Sequence, residues 1–146
     1  MSSLASVLLV GVGGFAGSVA RYLLGGWLLH HTAQQRFPWS TFAVNVAGCL
    51  AIGVLAGLAE RHALSSPGLR LFLFTGLLGG FTTFSAFGLE TLFLLRRGEP
   101  WVAAAYVGGS VLLGLVAGGW ACAACSCSRA AAERAIAATG FSPESA

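Results

Sequence analysis

Four apolar stretches, about Leu4–Leu29, Thr41–Ala59, Leu71–Leu95 and Trp101–Cys122, take up most of this chain. Each is around 20 residues, the length a helix rising 1.5 Å per residue needs to cross a hydrocarbon core of ~30 Å. The chain is 9% charged, against about a quarter in an ordinary soluble domain, so a water-facing surface could not be built from it. The expectation is an all-α membrane protein with four transmembrane helices in one domain, residues 1–127, followed by a short C-terminal tail, 128–146. The first run is too long for a signal peptide and lacks the basic flank and cleavage pattern of one.

The third run is unusual at its centre, where Gly79-Gly80-Phe81-Thr82-Thr83-Phe84-Ser85-Ala86-Phe87 falls near mid-membrane. Two glycines and two threonines are poor choices there, because unwinding frees carbonyls that lipid cannot satisfy. Such breaks are tolerated where the loosened backbone meets protein, water or an ion, and transporters build ion sites from them. A helix broken at mid-membrane, handling an ion, is therefore predicted.

Twenty-one glycines need a reason. Membrane helices gain little from apolar burial against one another and depend on close backbone approach at small residues. The spacings Gly13/Gly17, Ala16/Ala20, Gly53/Gly57, Gly76/Gly80 and Gly114/Gly118 suit that need, and glycine on every run hints at an oligomer. All eight basic residues are arginines. Arg61, Arg70, Arg129 and Arg134 fall on the side of the second loop and tail; Arg36, Arg96 and Arg97 fall on the other, with Arg21 near that end of the first run. No positive-inside bias results. Either the first helix or an insertion partner orients the chain, or copies insert both ways and pair antiparallel.

Several features read as incidental. Gly11, Gly13 and Ala16 fit a dinucleotide-binding spacing, but no acidic residue occurs before Glu60 to hold a ribose, and no βαβ unit can form. Cys122, Cys125 and Cys127 lack the histidine or second pair that would complete a zinc site, so small filler at a helix end is expected. His30 and His31 sit at an interface. The tail is read as a short surface helix or disordered. No Ser-His-Asp or metal constellation can be assembled, which argues against an enzyme.

The polar residues at membrane depth matter more, since they are costly there and usually functional. Thr41 and Asn45 share one face of the second helix, and Tyr106 and Ser110 one face of the fourth, each pair being four apart. From the side of the first and third loops, Asn45 and Tyr106 lie roughly 6–8 Å deep, and Phe87, Ser110 and Phe84 roughly 12–17 Å. Glu90 is the carboxylate nearby. Amides, hydroxyls and a phenol can donate to an anion, and phenylalanine edges carry the positive end of the ring quadrupole. Singly, each polar group is an ordinary interhelical contact worth about 1 kcal/mol. Together, at graded depth beside a broken helix, they read as a path for a small anion.

Gly13 to Tyr22 in the first run, Thr41 to Gly48 in the second, Gly79 to Phe87 followed by Glu90 in the third, and Tyr106-Val107-Gly108-Gly109-Ser110 in the fourth together resemble the Fluc (CrcB) fluoride channels over nearly the whole chain except the tail. The resemblance implies a dual-topology antiparallel homodimer in the bacterial cytoplasmic membrane. It would have two pores, passively exporting fluoride that accumulates after HF enters. It implies a structural Na⁺ on the dimer axis, held by the backbone carbonyls of Gly79 and Thr82 from each chain. It implies fluoride contacts at Phe84 and Phe87, a pore amide at Asn45, and a polar track including Thr41, Tyr106 and Ser110. Arg21 matches the family's basic residue, though snorkelling to the interface explains it equally well; Glu90 is a candidate structural or vestibule residue. Where many relatives read Thr-Thr-Phe-Ser-Thr-Phe, Ala86 replaces the last threonine here. The expected partners are fluoride, a second copy and the lipid bilayer, with no nucleic acid.

The competing reading is a small multidrug transporter, also four helices and often antiparallel. That class trades protons for cationic drugs at a carboxylate in mid-helix one, and no Asp or Glu occurs there. A pore-less structural membrane protein would make the line of donors accidental.

Overall fold

The computed structural model describes residues 2–32, 35–60 and 66–139. Arg61, one of the arginines weighed for orientation, lies outside the described residues, as do the side chains from Ser128 onward. Helix α1 (Ser3–Thr32) begins after Ser2, whose hydroxyl accepts the Ala5 N–H at 3.4 Å, the usual way a serine occupies a helix N-terminus. Helix α2 (Trp39–Glu60) follows Pro38, whose carbonyl accepts the Phe42 N–H at 3.2 Å. Ser40 ties the two helices, its hydroxyl donating to the Gly25 carbonyl at 2.9 Å.

The third run forms two pieces. Helix α3 opens with a proline-initiated turn, Pro67–Arg70, where the missing proline N–H is no loss. It widens into π-helical turns over Leu71–Leu78 and closes with Gly79–Phe81. Helix α4 (Phe84–Arg96) completes the run. Its end is a Schellman motif: Gly98 sits at φ 74°, its N–H donates to the Leu95 carbonyl, and the Glu99 N–H reaches back to Leu94, both at 3.0 Å. Pro100 then starts α5 (Pro100–Thr139), which does not stop at the sequence boundary of 127 but carries on into the expected tail.

Four helical spans, Ser3–Thr32, Trp39–Glu60, Pro67–Arg96 and Pro100–Cys127, are long and apolar enough to cross a membrane. Gly11, Gly13 and Ala16, which mimic a nucleotide-binding turn, all lie within α1.

Two seams hold the helices together. In the first, α1 lies on α3 backbone to backbone: a methyl group added at Gly13 would stand 2.8 Å from the Phe72 carbonyl oxygen, and one at Gly17 would stand 2.8 Å from the Phe81 nitrogen. Gly76 and Gly80 supply the opposing clearance, each meeting a glycine Cα of α1 at 3.0 Å from such an added methyl. In the second, α2 lies on α5, with Gly53 against Gly118, Gly57 against Cys125, and a methyl added at Gly114 standing 3.1 Å from the Cys49 sulfur. Cys49 and Cys125 thus act as small packing groups. The Ala16/Ala20 pair takes no such part, for Ala20 is exposed.

Candidate functional site

Between α3 and α4 the backbone leaves helical geometry for two residues, Thr82 (φ −84°, ψ 155°) and Thr83 (φ −146°, ψ 118°). The hydrogen bonds account for it. In an unbroken α-helix the N–H groups of Thr83, Phe84 and Ala86 would serve the carbonyls of Gly79, Gly80 and Thr82. Instead, the Thr83 N–H donates to Asn45 Oδ1 at 2.9 Å, and Asn45 Nδ2 donates to the Thr83 carbonyl at 3.1 Å. The Ala86 N–H donates to Thr83 Oγ1 at 3.3 Å, capping α4. The Gly80 carbonyl accepts from Arg21 Nε at 3.2 Å and from Ser18 Oγ at 3.4 Å. The Leu78 carbonyl takes both the N–H and the hydroxyl of Thr82, each at 3.0 Å. Gly48 on α2 leaves the room into which the Thr82 methyl fits. The donors that a helix would send to Gly79 and Thr82 are therefore occupied elsewhere.

Nearly two turns further along α4, Glu90 gathers two hydroxyls from different helices. Thr41 at the start of α2 donates to one carboxylate oxygen at 2.7 Å, and Tyr106 of α5 donates to the other at 2.8 Å. Tyr106 has 0% of its surface exposed and packs with Leu94 and Ala103. Phe37 meets its ring edge-on at 5.4 Å, and Phe87 lies tilted on it at 5.1 Å. Phe87 in turn pairs with Phe84 at 5.7 Å, so one chain of rings runs from the Glu90 cluster to the interruption.

That chain ends in a cavity of about 380 Å³ lined by Asn45, Gly79, Thr82, Thr83, Phe84, Phe87 and Ser110, among others. Phe84 is 84% exposed within a single chain. Ser110 Oγ is buried and has no hydrogen-bond partner among the described residues, leaving a donor and an acceptor unspent at the cavity wall.

The expected residues thus fall into two linked groups. Asn45, Gly79, Thr82, Phe84, Phe87 and Ser110 share the cavity, while Thr41, Tyr106 and Glu90 form a hydrogen-bonded set joined to it through the Phe87 ring. Three expectations change. Arg21 is not near the end of its helix: α1 continues to Thr32, and the guanidinium is turned to the Gly80 carbonyl. The hydroxyl protons of Thr41 and Tyr106 point at Glu90 rather than into open space. Asn45 spends its oxygen and one amide hydrogen on Thr83. Ser18 and Thr83 carry roles that the sequence reading did not assign. The Glu90 hub was open to view, since Phe87, Glu90 and Leu94 fall on one helix face and an intramembrane carboxylate asks for partners. Ala86 contributes its backbone N–H, which any residue other than proline would supply.

A membrane bundle of four helical spans with a mainly apolar, aromatic-lined cavity carrying a few polar groups at an interruption of its third span is a structure for passing or binding a small solute within the bilayer. The family model described as "CrcB-like protein, Camphor Resistance (CrcB)" matches residues 8–123, and the chain belongs to this family. It is 57% identical over 110 residues, 75% of its own length and 86% of the relative's, to the "Fluoride-specific ion channel FluC" of Methylobacillus flagellatus. Proteins of the same name from Rhizobium etli (52% over 110 residues, 75% of this chain and 87% of the relative) and Chlorobium chlorochromatii (50% over 113 residues, 77% and 86%) are similar to it as well. These relatives are ion channels by name and not enzymes, and with its four spans the chain is a multi-pass bacterial membrane protein.

Proposed function

We propose that the protein is a fluoride-selective channel that passively exports fluoride across the cytoplasmic membrane, working as an antiparallel homodimer with a structural sodium ion. The observation that carries this reading is the cavity beside Thr82–Thr83, whose lining brings together exposed Phe84, half-buried Phe87, Asn45 with its spare amide hydrogen, and a Ser110 hydroxyl without a partner among the described residues. The lining offers hydrogen-bond donors and electropositive ring edges with no carboxylate among the cavity residues. It suits an anion that sheds water stepwise. The outer leg passes Glu90. There the carboxylate fixes the Thr41 and Tyr106 hydroxyls, and an arriving anion competes with it for their protons.

The exposure of Phe84 in one chain supports a second copy as its cover, and the even division of arginines between the two sides supports insertion in both orientations. Sodium fits the donor set: a hard cation takes oxygen ligands, and the Gly79 and Thr82 carbonyls have lost their helical donors. Two such oxygens from each copy would hold the ion and fasten the copies together. Residues 1–127 would form the channel and the remainder the tail.

Fluoride efflux from proteoliposomes, followed with a fluoride electrode and compared with chloride, tests the reading. Efflux of fluoride well above chloride is expected, together with its near loss in Phe84→Ile and Phe87→Ile, swaps that mere packing would tolerate at under about 1.5 kcal/mol. Normal efflux in both variants would remove the aromatic path. A C-terminal tag reachable from both faces of the membrane is expected; a tag confined to one face would exclude the antiparallel homodimer. Imposing a Na⁺ gradient should not drive fluoride uphill.

A further inference from the structure

We infer that Arg21 is a positioning residue that decides which carbonyls of the interruption stay open to a cation. The inference rests on the sodium reading above. Gly79 and Gly80 are consecutive, so their carbonyls sit about 100° apart around the helix axis. The Gly80 oxygen is turned toward α1, held by Arg21 Nε at 3.2 Å and seconded by Ser18 at 3.4 Å. α1 can come this close because neither Gly80 nor Gly14 has a side chain: a methyl at Gly80 would stand 3.0 Å from the Gly14 Cα.

This grip has two effects. It keeps the Gly80 oxygen from taking back the Phe84 N–H, which would draw α3 and α4 into one helix and re-cover the Gly79 and Thr82 oxygens. It also meets the hydrogen-bonding need of Gly80 away from the cation, so that Gly80 does not compete to bind it. The positive charge of Arg21 works against a neighbouring cation, since like charges repel. What the site uses is the N–H at the end of a three-carbon stem. Glutamine places its amide nitrogen the same number of bonds from Cα, without the charge. Methionine has similar length with neither donor nor charge.

The test compares the full-length wild type, Arg21→Gln and Arg21→Met, purified in detergent with Na⁺ replaced stepwise by N-methylglucamine. The dimer fraction is measured against Na⁺, and amide hydrogen exchange at Phe84 is measured in parallel. Arg21→Met should raise the Na⁺ needed for half-maximal dimer about fivefold, the scale of one lost neutral hydrogen bond, and should slow exchange at the Phe84 N–H as Gly80 recovers it. Arg21→Gln should stay within about twofold of wild type on both measures. Equal shifts in Gln and Met would make charge the operative property and overturn the inference, and so would an unshifted Met. If wild type itself shows no dependence on Na⁺, the sodium reading fails alone: the exchange rate then decides, with slowed exchange in Met but not in Gln upholding Arg21 as the positioning residue and any other pattern rejecting it.

Discussion

The seam of α1 on α3 and the contact of α4 with α2 and α5 are built from opposite materials. The first is glycine against backbone, with an added methyl at Gly13 or Gly17 meeting main-chain atoms at 2.8 Å. The second is made by polar side chains, Thr41 and Tyr106 meeting Glu90 and Asn45 meeting the Thr83 main chain. Main-chain contact tolerates almost no substitution and carries no chemistry. A hydrogen-bonded contact can exchange partners, and the candidate path runs along it. The interruption is placed where the two meet, held from one side by Arg21 and from the other by Asn45.

The largest effect is expected in the first seam. Gly17→Leu has no flexible neighbour to push aside, so overpacking should exceed about 3 kcal/mol and leave little folded protein in detergent size-exclusion runs. Gly11→Leu, with nothing within 4 Å of its added carbon, should run as wild type. A well-folded Gly17→Leu would erase the contrast between the seams.

Next comes Asn45. Alanine there leaves the Thr83 N–H and carbonyl unpaired, at about 1–3 kcal/mol each, so both stability and flux should fall. Asn45→Asp keeps an acceptor for the Thr83 N–H but sets an anion on the path. Repulsion of about 4 kcal/mol at 4 Å and an effective dielectric of ~20 should cut fluoride flux by roughly three orders of magnitude while dimer persists on crosslinking. Flux equal to wild type in Asn45→Asp would reduce the residue to interhelical glue.

Tyr106→Phe keeps the ring against Phe37 and Phe87 and removes one hydroxyl from Glu90. A hydrogen bond to a charged group is worth about 1.5–3 kcal/mol, so a loss of about tenfold in flux or more is expected, with assembly retained. Gly98→Ala should be the mildest, costing about 1–2 kcal/mol for a left-handed alanine in thermal melts and leaving flux per folded channel unchanged.

The difference between the two regions also sets what could be read from sequence. Four spans followed from run length, and close packing at Gly13, Gly17, Gly53 and Gly57 followed from spacing, because both depend on local pattern. Asn45, Gly79, Thr82, Phe84, Phe87 and Ser110, which share the cavity with residues not singled out beforehand, were named from the same pattern and from resemblance. Their partners were not. Which carbonyl Arg21 reaches, and that Asn45 meets Thr83 across α2 and α4, depend on helix rotation and register, which one-dimensional spacing leaves free. The π-helical turns of Leu71–Leu78 gave no signal for the same reason: nothing in LFLFTGLL marks a change of winding, and their closeness to Gly13 and Gly17 emerges only when α1 is packed on them. The continuation of α5 beyond residue 127 was hidden by an alanine-rich segment whose mild polarity reads equally well as helix or coil.

That continuation changes how the protein can be handled. At 40 residues, α5 is about 60 Å long, some twice the thickness of the hydrocarbon core, so a sizeable stretch of it stands clear of the lipid as a mast. A fluorescent reporter or affinity handle fused at its far end would ride at a distance from the ion path, reading orientation and copy number without intruding on the channel. In a dimer with opposed protomers, two such masts would project from opposite faces, giving each leaflet its own address.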